Sequence, residues 1–258
     1  MSKTAEITAL GINNCFSFKE GSYHSHMLLK CNDEYGLIDC PMDVRYTLGK
    51  RGLSFKDIKY IFLTHCHMDN IAALELFAFS NRFCGGNTKI ITSKELINTL
   101  TIPGLRVTNN SNRIQTIYDY FDIIFYDDIE CFVFNDLIID SFELPHVSSP
   151  NNKFNVMSNA IRICNVSTKN RIFYTGDYNL TDDLYRLLLS NIFDGVDIIF
   201  SEVEFGNPSG VHANVQDIKR LFSEDHIKKS YFYHYDEMYN REIRDDIQLL
   251  QKGKVISF

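Results

Sequence analysis

Short runs rich in β-branched and aromatic residues recur at 35–38, 60–63, 89–92, 137–139, 171–175, 197–200 and 231–233. Runs of this length, bounded by polar and turn-forming residues, predict strands. Between them apolar side chains fall at helical spacing: Ile71, Leu74, Phe77 and Ala78 within 70–80, Leu184, Leu187 and Leu188 within 181–190, and Val215, Ile218, Leu221 and Phe222 within 214–222. These stretches predict amphipathic helices, and their irregular alternation with the strands predicts a layered α/β fold. Asp39, His65, Asp177, Glu202 and His234 each stand at or just beyond an apolar run. Such positions gather on one rim of an α/β sheet, where loops build sites.

Composition narrows the reading. The 258 residues contain no repeat, low-complexity tract or long linker, and loop-like stretches such as 148–152 are short, so a single domain over 1–258 is expected. A net charge of -7 without any Lys/Arg-rich run argues against a grip on long nucleic acid and favours a small substrate. The seven cysteines (15, 31, 40, 66, 84, 131 and 164) are odd in number, scattered and free of a Cys-x-x-Cys pair, which fits a reducing cytoplasm. Residues 1–7 lack a signal-peptide core and no apolar run is long enough for a bilayer, so a soluble protein without membrane contact is expected.

The candidate chemistry centres on Thr64-His65-Cys66-His67-Met68-Asp69-Asn70. Two imidazoles one residue apart can face one cavity, with the Asp69 carboxylate beside them. Such a donor set suits Zn²⁺, Mn²⁺ or Fe²⁺, while Cys66 alternates to the opposite face. Asp39 after Gly36-Leu37-Ile38, His146 in Leu144-Pro145-His146, Asp177 after Tyr174-Thr175-Gly176 and His234 after Phe232-Tyr233 complete an ordered series. Taken singly, His146 and His234 read more often as ordinary surface or core histidines than as ligands, and Asp177 as a cap of the following helix.

In that order the motifs resemble the metallo-β-lactamase superfamily across nearly the whole chain. The resemblance implies a four-layer αβ/βα sandwich, one metal held by His65, His67 and His146, and a second held by Asp69 and His234 with Asp177 bridging. It implies a supporting role for Asp39, whose carboxylate would orient neighbouring groups. Zn²⁺, as one or two ions, is the implied cofactor, with Mn²⁺ an option at the second site. Asn70 departs from the pattern, which has His there. A carboxamide oxygen is a weaker donor than imidazole towards Zn²⁺. A di-metal hydrolase with a loose second site, a one-metal hydrolase and a protein that binds its ligand without turnover all remain open at this point, as does a lactone or ester hydrolase.

Glu202 in Ser201-Glu202-Val203-Glu204 and His212 in Gly210-Val211-His212-Ala213-Asn214 resemble a pair in the tRNase Z-like branch, where such a His contacts the scissile phosphate. A carboxylate beside an imidazole keeps it protonated near neutral pH. Leu74-Glu75-Leu76-Phe77-Ala78-Phe79, Thr116-Ile117-Tyr118-Asp119-Tyr120-Phe121, and Ser209 to Ala213 ahead of Tyr233-His234-Tyr235 resemble the phage anti-Pycsar cyclic-nucleotide phosphodiesterases and their bacterial relatives. That resemblance implies a cyclic nucleotide substrate attacked by metal-bound hydroxide, a homodimer, and Asp69, His212 and Glu202 as catalytic residues. The aromatic segment 118–125 is a candidate dimer surface. Tyr118, Tyr120, Phe121, Tyr178, Tyr233 and Tyr235 are candidates either for stacking on a base or for the core.

Overall fold

A computed structural model describes residues 5–100, 115–148, 155–236 and 247–258; positions 149–152 of the loop-like stretch lie outside the described residues. The strands are β1 (Ala5–Gly11), β2 (His26–Cys31), β3 (Glu34–Ile38), β4 (Ile58–Phe62), β5 (Lys89–Thr92), β6 (Ile123–Phe125), β7 (Phe132–Phe134), β8 (Leu137–Ser148), β9 (Asn155–Asn165), β10 (Arg171–Tyr174), β11 (Ile198–Glu202), β12 (Ser230–Tyr233) and β13 (Val255–Ser257). They form a seven-stranded sheet in the order β13-β1-β2-β3-β4-β5-β6 and a six-stranded sheet in the order β12-β11-β10-β9-β8-β7. The helices are α1 (Val44–Gly49), α2 (Met68–Ile71), α3 (Leu74–Phe83), α4 (Lys94–Thr99), α5 (Asp182–Leu184), α6 (Ser190–Phe193), α7 (Val215–Leu221) and α8 (Glu224–Lys229).

Alternation along the strands sorts their side chains into layers. Ile7, Met27, Ile38, Phe62 and Ile91 of the first sheet pack against Phe134, Leu137, Ile139, Ile161 and Ile163 of the second. On the outer face of the first sheet, Leu28, Leu37, Ile61 and Ile90 meet Val44 and Leu48 of α1 and Leu74 and Phe77 of α3. On the outer face of the second, Phe193 at the end of α6 sits 5.5 Å from Phe173, and Phe222 after α7 sits 6.4 Å from Phe232, ring centre to ring centre. The result is the helix–sheet–sheet–helix sandwich of the metallo-β-lactamase fold.

Within the first sheet β3, β4, β5 and β6 run parallel, and within the second β10, β11 and β12 do. Parallel strands deliver their carboxyl ends to one edge, so Asp39, Thr64-His65, Asp177, Glu202 and His234 emerge on a common rim.

Two predicted helices differ in detail. The stretch over 70–80 is two helices, because Cys40 N–H donates to the Asn70 carbonyl and Ala73 N–H to the Cys40 carbonyl, which ties the intervening turn to the end of β3. The stretch over 181–190 passes from α5 through a π-helical turn, Tyr185–Leu189, into α6. There the Tyr185 ring stacks on Phe222 at 5.4 Å, and its hydroxyl meets His226 Nδ1 at 2.9 Å.

Candidate metal centre

His65 leaves β4, and His67 stands at the N-cap of α2 with an extended backbone. His146 lies where the β8–β9 register shifts between Pro145 and Val147, a bulge of the kind that re-aims a side chain. The three rings converge: His67 Nδ1 lies 3.1 Å from His65 Nε2 and 3.2 Å from His146 Nε2. The remaining nitrogens explain the orientation. His146 Nδ1 donates to the Val211 carbonyl at 2.9 Å. His65 Nδ1 donates to Thr64 Oγ1 at 3.0 Å, and that hydroxyl donates to Asp39 Oδ2 at 2.8 Å. Both rings therefore turn an unprotonated Nε2 inwards. Burial pushes all three imidazoles down, His146 to about 4, so the set is neutral at physiological pH as metal ligation requires.

Asp39 holds the motif from behind. Its Oδ1 accepts from Thr64 N at 2.9 Å and its Oδ2 from Asn70 Nδ2 at 3.0 Å, with the backbone at φ +62°. Burial raises this carboxyl to about 7 against the opposing hydrogen bonds. Cys66 is partly buried against the outer cluster, away from the imidazoles.

A second group forms beside the first. Asp177 Oδ2 sits 3.6 Å from His65 Nε2 and 3.3 Å from His234 Nε2, and Asp69 Oδ2 sits 3.7 Å from His234 Nε2. His234, like Asp39, adopts a left-handed backbone, φ +65°, and its N–H donates to the Ile12 carbonyl at 2.7 Å. Non-glycine residues in this region are strained and cluster at functional sites. Gly176 aims Asp177 from φ +63°, and a Cβ there would lie 2.5 Å from Ser158 Oγ and 3.3 Å from Thr64 Cβ. Gly176→Ala should cost about 1–3 kcal/mol in urea denaturation; wild-type stability would mean the turn relaxes freely.

Glu202 organises this side. Its Oε2 meets His212 Nδ1 at 2.7 Å and His234 Nδ1 at 3.2 Å, while its Oε1 accepts from the backbone N–H groups of Tyr178 and Ala213. Although Asp177, Glu202, His212 and His234 lie close enough together to hold an ion, Glu202 is saturated by four donors. Asp69 is the better-placed donor on that ground. Against the opposing effect of burial, Glu202 raises His212, and Asp177, Asp69 and Glu202 hold His234 well above the usual imidazole range. Burial raises Asp177 to about 7.

Two buried atoms of this group stay unsatisfied: Asn70 Oδ1 and His234 Nε2, the latter lacking an aligned hydrogen bond to either carboxylate. A lone-pair acceptor and an imidazole nitrogen facing two carboxylates fit a divalent cation, as do the three inward-facing nitrogens of the first cluster.

A family profile, that of the anti-Pycsar protein Apyc1, matches residues 5–256. The chain belongs to this family. A relative from Paenibacillus xerothermodurans, an anti-Pycsar protein Apyc1, is 24% identical over 260 residues, covering 98% of this chain and 97% of its own. Among solved structures, the metallo-β-lactamase fold protein YhfI from Bacillus subtilis superposes with a TM-score of 0.73 at 17% identity, covering 99% of this chain and all (100%) of its own. Zn²⁺-bound PqqB from Methylobacterium extorquens superposes with a TM-score of 0.71 at 13% identity, covering 98% of this chain and 100% of its own. Family, fold and donor clusters together make this member a metal-dependent hydrolase.

Of the aromatic residues considered for base stacking, Tyr178, Tyr233, Tyr235 and Phe121 are buried, Tyr120 is partly buried and Tyr118 is exposed. Sequence reasoning missed Asn159, whose N–H and side-chain amide both donate to the Thr64 carbonyl, and Ile12, which fixes the His234 backbone. Neither carries a motif, because each acts on the main chain of a site residue.

The position of Asn70 makes its substitution informative. Its amide already serves Asp39, which leaves one neutral oxygen for an ion. Asn70→His should lower the metal concentration that half-fills the second site by ~10-fold, about 1.4 kcal/mol, in a calorimetric titration. An unchanged or higher concentration would place Asn70 outside the ligand set.

Proposed function

We propose that this chain hydrolyses a cyclic nucleotide as a metal-dependent phosphodiesterase, and that it works in the cytoplasm as a homodimer. The observation that carries the reading is Glu202 gripping the Nδ1 atoms of His212 and His234 together. One carboxylate thereby sets a protonated imidazole beside both donor clusters, with ring centres 5.1 Å from His146 and 4.9 Å from His234. A lactonase or lactamase has no need of a second cation there. An enzyme acting on an anionic phosphodiester does.

His65, His67 and His146 would hold one ion, and Asp69, Asp177 and His234 a second, with Asn70 at its edge. Zn²⁺ suits the imidazole set, in keeping with the Zn²⁺-bound protein of the same fold, and Mn²⁺ is an option where oxygen donors dominate. Bound divalent ions supply positive charge that polarises the phosphoryl oxygens and acidifies water. Asp177 and Asp69 would orient the attacking water, and Asp177, whose carboxyl burial raises, would take up its proton. As the phosphorus–oxygen ester bond breaks, the Nε2 proton of His212 passes to the leaving sugar oxygen, and Glu202 keeps that imidazole charged beforehand. The exposed Tyr118 and the edge strand β6 offer the surface for a second copy.

Purified protein loaded with zinc or manganese should convert at least one 3′,5′-cyclic nucleotide to its linear monophosphate, read by chromatography. His212→Ala should lower that rate by ~10²–10⁴-fold while keeping its metal. No conversion of any cyclic nucleotide at any metal loading overturns the reading and leaves a nucleotide-binding protein or another ester or lactone hydrolase in its place.

A further inference from the structure

The excursion between β1 and β2, residues 12–25, rises directly beside the second cluster. Its root is pinned there: the Ile12 carbonyl accepts from His234 N–H, and Asn13 Nδ2 donates to the Tyr235 carbonyl at 3.2 Å. Asn13 also takes Ser25 N–H onto its carbonyl, closing the loop. The returning limb is clamped at Tyr23, whose hydroxyl accepts from Lys50 Nζ at 2.8 Å and whose ring lies 4.8 Å from both Lys50 and Lys252 ammonium groups. At the tip, Asn14 Oδ1 accepts from Phe16 N–H at 3.1 Å and from Ser17 Oγ at 3.2 Å.

On this ordered loop Phe16 is 69% exposed and Phe18 is 89% exposed, the latter the most exposed of the large hydrophobic side chains among the described residues. Two bare rings two residues apart on a braced loop offer a binding surface. The base of a cyclic nucleotide lies one sugar ring from its phosphate, and so outside the buried donor clusters. Most of the aromatic residues considered above cannot meet it, because Phe121, Tyr178, Tyr233 and Tyr235 lie in the core. We infer that Phe16 and Phe18 form the stacking platform for the substrate's base, a role that rests on the cyclic-nucleotide reading above.

Stacking on an aromatic side chain tolerates any base, so these residues would set affinity more than base choice. The chain contains no Trp, which makes F18W a reporter without background. On rapid mixing of metal-loaded F18W with a cyclic nucleotide, the indole emission should be quenched saturably, and a base-free sugar 3′,5′-cyclic phosphate should leave it unmoved. The F16A/F18A double variant should raise KM for cyclic nucleotides by ~10-fold or more, with metal content and melting temperature held, and F16Y/F18Y should restore it. If the wild type turns over cyclic nucleotides but the double variant keeps its KM and F18W gives no quench, the stacking role is wrong while the phosphodiesterase reading stands. If nothing is turned over, F18W quenching alone decides whether the loop binds a base. An emission shift that follows protein concentration without nucleotide would assign the rings to a second copy of the chain and overturn the inference.

Discussion

His67→Ala should strip the first cluster of its ion. His67 Nδ1 is the one nitrogen within 3.2 Å of both other inward-facing nitrogens, so its removal leaves His65 and His146 without the third vertex of the set. Structural zinc sites bind with about 10–16 kcal/mol shared among four ligands, so losing one ligand should weaken binding by ~10²–10³-fold. Elemental analysis of protein purified without added metal should fall from a filled site to trace occupancy, and turnover should fall with it. The variant should also respond less to chelator than the wild type. Wild-type protein should melt at a lower temperature once stripped, because an ion that binds only the folded state adds to its stability by mass action. Wild-type metal content in His67→Ala would remove these three histidines as a site.

The rim residues were readable from the sequence because they sit at strand ends, where apolar runs stop and polar residues begin. Asp39, His65, Asp177 and His234 follow β3, β4, β10 and β12, and Glu202 ends β11, for that reason. The parallel pairing that brings those ends together had to come from the family resemblance, since hydrophobic pattern alone does not give strand order. β9 escaped the pattern because Ser158 and Asn159 are buried polar residues within it; Asn159 spends its amide on the Thr64 carbonyl instead of facing water. The break between α2 and α3 was equally hidden, since apolar spacing continues across it while the backbone bonds to Cys40 interrupt the helix. Glu202 was legible as a partner of His212. Its grip on His234 was not, because the two residues lie on neighbouring strands whose contact depends on the second sheet's order.

That shared grip makes Glu202→Gln the most revealing single change on the phosphate side. The substitution keeps the shape but replaces a carboxylate that accepts from four donors with an amide that has one acceptor oxygen. An N–H then faces an N–H, and two imidazoles lose the charge that held them. Breaking a buried charged pair in this way should cost about 3–5 kcal/mol in urea denaturation at neutral pH. The sign follows from linkage: the folded protein holds Glu202 below its ordinary carboxylate range, so its contribution is present above that range and disappears as pH falls through the folded value. The stability gap between wild type and Glu202→Gln should therefore narrow in acid. Turnover should drop by ~10²–10⁴-fold, with the ion of the first cluster retained, since Glu202 touches none of its three ligands. The pH profile separates this role from a merely structural one. In the proposed mechanism His212 acts in its protonated form, so activity should be lost as pH rises through its titration. With Glu202 present that titration is raised, whereas in Glu202→Gln the main opposition to burial is gone, leaving only the weaker pull of Asp177, and the loss should move to lower pH. A variant whose residual activity follows the wild-type profile point for point would show that Glu202 does not hold His212 in its charged form, and the proton donor would have to be sought elsewhere on the rim.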